Sequence, residues 1–160
     1  MKQMMKRFFI PHVLFLLIAT AALAEPVSIR PQNFNGFEQC KITKELEEEI
    51  KKLITSGKPE QKGETAWTYA IKSDVLGLPA HAMLVGICNA AGQRDCGWGS
   101  FLAIAISKPL EEVKMHLKKR FGADFTKEKR DEEHNVTLRP VLAKGEKAGE
   151  SILYCDPGDL

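Results

Sequence analysis

Four cysteines, at positions 40, 88, 96 and 155, constrain this chain more than any other feature, because all of them lie downstream of a segment built like a secretory signal. Met1–Phe9 carries Lys2, Lys6 and Arg7 and no acid, and Val13–Ala22 is nearly unbroken apolar sequence. Ala22-Leu23-Ala24 then supplies the small residues a signal peptidase needs, which places cleavage before Glu25. The apolar run is shorter than the roughly 18–20 residues that span a bilayer. Residues 1–24 are therefore expected to be removed, leaving no stable membrane anchor, and no cysteine follows Ala24 closely enough to carry a lipid. A bacterial periplasm is the favoured destination, with the extracellular space as the alternative.

An even cysteine count in an exported chain reads most simply as two disulfides. Three pairings are open, and the local one joins Cys88 to Cys96, which leaves Cys40 to meet Cys155. In the chain-entropy account the short bridge contributes roughly 2–3 kcal/mol and the long one about 4–5 kcal/mol. Sulfur used in this way is bracing, not reagent.

Charge excludes one class of partner. Loss of Lys2, Lys6 and Arg7 leaves 20 of the 23 Lys and Arg residues against 21 Asp and Glu, so the processed chain is near neutral. General attraction to nucleic acid is not expected of it. Residues 25–39, with Pro26, Pro31, Asn33, Asn35 and Gly36, read as an irregular lead-in whose Phe34 and Phe37 are free to pack on the domain, and residues 40–160 read as one domain.

Along that domain the period changes several times. Leu46, Ile50, Leu53 and Ile54 mark a helical face opened by Thr43 and stopped by Gly57 and Pro59, with Glu47–Lys51 and Glu48–Lys52 as i,i+4 pairs. Thr65–Ile71 alternates as a strand with Trp67, Tyr69 and Ile71 on one side, and Asp74–Pro79 reads as a loop. Ala82–Cys88 and Phe101–Ile106 are apolar on both faces, as strands in the middle of a covered sheet are, and should form an antiparallel hairpin. Leu110, Val113, Leu117 and Phe121 return to the helical period, with Ser107 or Lys108 as the cap, Pro109 in the first turn and Gly122 at the end. Residues 126–135 read as charged loop, and Val136–Ala143 and Ser151–Cys155 as two further strands, the first at an edge or broken at Pro140. The expected fold is α+β: an antiparallel sheet of about five strands with two helices packed on one face and two disulfides.

No residue pattern names a chemistry. The stretch DCGWGS is similar to the Cys-Gly and Trp neighbourhood of papain-like proteases, but that family's cysteine opens a helix, whereas FLAIAIS here reads as a strand. His116, His134 and Asn135 can be drafted as partners for a cysteine without any informative spacing, and Asp95 with Glu64 is an arbitrary choice of carboxylate pair. His81 and His116 read as boundary residues. There is no Cys-x-x-Cys redox pair, no His-Glu-x-x-His metal site, no Gly-x-Ser-x-Gly elbow and no phosphate loop, so neither metal nor cofactor is expected.

What remains is the hairpin tip, CNAAGQRDCGWGS, residues 88–100. A disulfide at its base lowers the ordering cost of binding, and Gln93, Arg94, Asp95 and Trp98 are the candidate contacts, Arg and Trp being the types that most often dominate binding energy. The plainer reading of the same residues makes Trp98 a cover for the sheet end and Arg94-Asp95 a solvated turn. The leading expectation is a small exported, non-catalytic binding protein, of inhibitor or immunity type, whose partner is another envelope or secreted protein. Its rivals are a small periplasmic cell-wall hydrolase, whose acids and histidines meet only in the fold, and a structural envelope component.

Overall fold

The computed structural model describes residues 25–86 and 101–157. Short backbone segments open it: β1 (Val27–Ser28) and two 3-10 turns, Pro31–Phe34 and Phe37–Gln39. Helix α1 (Lys44–Ser56) follows, then β2 (Gln61–Lys62), β3 (Ala66–Val75), β4 (Leu78–Gly86) and β5 (Leu102–Ile106). Helix α2 (Leu110–Phe121) leads to β6 (Arg130–Asp131), β7 (Val136–Thr137), β8 (Val141–Lys144) and β9 (Ser151–Cys155).

The local signals for the helices work as chemistry predicts. Thr43 Oγ1 accepts from the Leu46 N–H at 3.1 Å and donates to the Asn33 carbonyl at 2.6 Å, so one hydroxyl caps α1 and ties it to the lead-in. Lys51 pairs with Glu47, while Lys52 meets Glu49 at 3.0 Å, one residue nearer than the expected Glu48. Gly122 takes φ +73° at the end of α2, the left-handed conformation that glycine adopts without penalty.

The sheet departs from expectation in size and direction. Seven strands join in the order β1-β3-β4-β5-β9-β8, with β2 also pairing β3, and β1 runs parallel to β3. About five antiparallel strands were expected because β1 and β2 are two residues long, too short to show alternation. A second, two-stranded sheet pairs β6 with β7 inside the segment read as charged loop. The strand expected at 136–143 breaks around Pro140, and its second half, β8, is a sheet edge, where a missing N–H is tolerated.

The loop expected at 74–79 shrinks to Leu76-Gly77. Val75 pairs with Leu78 and Asp74 with Pro79, so the connection is a two-residue hairpin with φ +55° and +79° at its centre. Leucine is costly in that conformation. His116 Nε2–H and Arg120 Nη1–H, one turn apart on α2, both donate to the Leu76 carbonyl at 2.9 Å and hold it there.

Residues opposite one another across a sheet share a face. Tyr69, Met83, Ile104, Leu153 and Leu142 form one such row, and Trp67, Val85, Leu102 and Cys155 the next. Leu46, Ile50 and Leu53 of α1 and Val113 and Leu117 of α2 belong to the same buried cluster as these rows, and so do Phe34 and Phe37 of the lead-in. On the opposite face one row is built from smaller side chains, Ala70, Ala82, Ala105 and Ala143 around Ile152.

Among the described residues one disulfide is seen, Cys40 to Cys155, the long pairing expected. The expected Cys88–Cys96 bridge lies outside the described residues. Thr137, itself buried, donates to Cys40 Sγ at 3.2 Å, and its hydroxyl accepts from the Asp156 N–H at 2.8 Å, closing the chain's last strand around the bridge.

Among the described residues Tyr69 Oη is a buried polar atom with no hydrogen-bond partner, and burial pushes its phenol pKa up. An unsatisfied buried hydroxyl costs about 1–3 kcal/mol. Tyr69→Phe is therefore expected to stabilise the fold by about 1 kcal/mol after the small void left by the oxygen is counted, read as a higher urea midpoint at unchanged slope. A loss of stability would mean that the hydroxyl has a partner in solution.

Candidate functional site

The two ends of the β4–β5 pair carry different kinds of residue. At one end the Gly86 N–H donates to the Phe101 carbonyl at 2.9 Å, the rung beyond the Val85–Leu102 pair, and Phe101 packs against Tyr154 with ring centroids 5.3 Å apart. These neighbouring points on two central antiparallel strands, paired as expected, are the described positions on either side of residues 87–100. Gln93, Arg94, Asp95 and Trp98 lie outside the described residues, as do Cys88 and Cys96. Glu64 is exposed, in the short connection between β2 and β3.

At the other end the register assembles a cluster that no sequence spacing reveals. Ala80 pairs with Ile106, and Ile106 with Ser151, so the neighbours His81, Ser107 and Glu150 are brought together from positions up to 69 residues apart. His81 is the extra residue of a β-bulge, because Ala80 faces Ile106 while Ala82 faces Ala105. A bulge re-aims the side chain it carries. Ser107 and Glu150 each sit one step from the Ile106–Ser151 pair and so share the face opposite Ile106.

The contacts define a relay. His81 Nε2 lies 2.9 Å from Glu150 Oε1, and His81 Nδ1 lies 2.9 Å from Ser107 Oγ. An ionised carboxylate only accepts, so Nε2 carries a proton; in the neutral ring Nδ1 then presents its lone pair to the Ser107 hydroxyl. Glu150 is held from behind: its Oε2 accepts the Lys147 N–H at 3.2 Å, and its carboxylate is largely buried. Gly145 makes room for it, since a Cβ there would lie 2.8 Å from Glu150 Cβ and collide with Oε2. Ser107 is exposed, and its own N–H is committed to the Pro79 carbonyl at 2.8 Å.

Neither Ser107 nor Lys108 caps α2, as one of them was expected to: Pro109 is the N-cap residue and has no polar side-chain atom to offer, while the Ser107 hydroxyl turns to His81. His116 is the boundary residue expected, bonded to Leu76. His134 pairs with Asp131 at 2.8 Å, and that bond holds the Asp131 carboxyl below its ordinary range. Asn135 accepts from Arg130 at 3.0 Å. Among the described residues no three His, Cys, Asp or Glu side chains are placed to hold a metal, and no helix is long and apolar enough to cross a membrane.

No protein family, curated protein or solved structure matches this chain.

Proposed function

We propose that the chain is an exported binding protein that engages another envelope or secreted protein through residues 88–100, acting as an inhibitor or immunity-type protein. The observation that supports this reading is the base of the segment: it starts and ends on adjacent central strands closed by the Gly86–Phe101 bond. Those strands are flanked by β3 and β9, and β9 is tied through Cys155 to Cys40. A contact segment fixed at such a base loses less conformational entropy when captured than one on a free loop. Recognition by Arg94 and Trp98, with Gln93 and Asp95 beside them, is the task assigned to the segment.

Affinity capture from an envelope extract tests it. Wild-type chain is expected to retain a defined partner that an Arg94→Ala/Trp98→Ala variant loses by at least 10-fold, as removal of one or two dominant side chains implies. Equal recovery by both would dismiss the segment as the contact. The Ser107–His81–Glu150 relay favours a second reading, hydrolysis, at the opposite end of the same strands.

A further inference from the structure

We propose that Ser107 is a nucleophile activated by His81, and that this end of the sheet cleaves O-acyl esters through an acyl-serine intermediate. The inference rests on the hydrolytic reading and is independent of recognition by residues 88–100. Nucleophilic serine chemistry needs a hydroxyl within hydrogen-bond reach of a base, and a third group that orients the base. Ser107, His81 and Glu150 meet both requirements at 2.9 Å each. The ring nitrogens are used in the reverse sense to the familiar protease triad, with Nδ1 toward the serine, but either imidazole nitrogen can take a proton.

The chain path supports the assignment. Ser107 directly follows the central strand β5 and stands three residues ahead of Leu110, the first residue of α2, so the hydroxyl sits on a strand-to-helix turn near the positive end of a helix dipole. That helix end is the electrophilic aid the assignment requires. An ester carbonyl, more reactive than an amide, suits a site so equipped, and the exposure of Ser107 suits an acyl group carried on a larger molecule.

The steps balance with water as the co-reactant. Ser107 Oγ bonds to the acyl carbon while its proton passes to His81 Nδ1, and Glu150 stabilises the imidazolium through Nε2–H. The ester C–O bond breaks, and the alcohol departs with the proton from Nδ1. Water then attacks the acyl carbon, gives a proton to Nδ1, and the acid leaves as that proton returns to Ser107 Oγ. Glu150 is a positioning residue throughout.

Diisopropyl fluorophosphate and p-nitrophenyl acetate, applied to the full chain, are the probes. The phosphorus is expected to bond Ser107 Oγ with loss of fluoride at least 100-fold faster than it bonds the exposed Ser28, the lower end of what a positioned base contributes. Equal labelling of the two serines overturns the proposal, and that comparison needs no substitution. His81→Gln is expected to bring Ser107 down to the Ser28 rate, whereas undiminished labelling would remove His81 as the base. With p-nitrophenyl acetate, acetyl-Ser107 is expected in the peptide map together with continued turnover, and an ester that is never released would overturn hydrolysis. For Glu150→Gln the ¹⁵N spectrum of the His81 ring is expected to lose the pure Nε2-protonated form; an unchanged ring spectrum would overturn the role of Glu150. Ser107→Ala is expected to abolish labelling while leaving partner capture by Arg94 and Trp98 intact, which separates failure of this site from failure of the binding reading.

Discussion

A Cys40→Ala/Cys155→Ala variant is expected to unfold about 15 °C below the wild-type chain. The two cysteines are 115 residues apart in sequence and their Cα atoms 5.5 Å apart in the fold, so the bridge closes almost the whole described chain into one loop. In the chain-entropy account a loop of that length removes about 5 kcal/mol of freedom from the unfolded ensemble. A domain holds only about 5–15 kcal/mol in total. The tie also has a structural object: it fastens the lead-in to β9, which lies between β5 and β8. Alanine at both positions introduces no new buried hydroxyl, and the Thr137 hydroxyl that loses Cys40 Sγ keeps the Asp156 carbonyl as acceptor at 3.2 Å. Thermal unfolding followed by circular dichroism reads the effect, and a shift of only a few degrees would show that the unfolded chain is already compact enough to make the tie redundant.

Phe37→Ala is the second large effect, expected to destabilise by about 3–5 kcal/mol in denaturant titration. Phe37 is 0 % exposed and meets Phe34 edge-to-face, with ring centroids 6.2 Å apart and planes at 88°. Both rings belong to the cluster that α1, α2 and the sheet share. Truncation removes the transfer energy of the ring and leaves a cavity that the backbone beside it, closed by the Cys40 N–H to Phe37 carbonyl bond at 2.9 Å, resists collapsing into. Met115→Ala on the outer side of α2, where the side chain is 65 % exposed, is the control expected to stay within about 0.5 kcal/mol. If Phe37→Ala behaved like that control, the lead-in would be an ornament on the fold and not part of its core.

Much of the architecture was legible wherever the signal is local. Thr43 and Gly57 bound α1, Gly122 ends α2, and the two-sided apolar runs around residues 82 and 104 pair antiparallel as their composition implies. The reading failed where pairing energy comes from far along the chain. Val27-Ser28 has no strand period to display, yet it lies parallel to Ile71-Lys72 because that edge of β3 has backbone groups to satisfy. Pro79 looked like a loop residue, and the two-residue turn at Leu76-Gly77, held from α2, makes it a strand residue instead.

The candidate sites divide along the same line. The hairpin segment with Gln93, Arg94, Asp95 and Trp98 stands out in sequence through composition and flanking cysteines, and all four lie outside the described residues. The His81, Ser107 and Glu150 relay was invisible there: a histidine at a strand start, a serine that looked like a helix cap and one acid among many carry no mutual spacing.

Period, caps, cysteine parity and charge are properties of neighbours in the chain, so the course of the helices and core strands, the even sulfur count and the near balance of 23 Lys and Arg against 21 Asp and Glu could be read from residue order alone. Register, the bulge at His81 and the parallel edge strand depend on which distant backbone groups satisfy one another. Only the tertiary structure decided those, because a hydrogen-bond ladder between strands is set by the fit of the whole sheet against its helices, and a one-residue slip would turn each side chain to the other face.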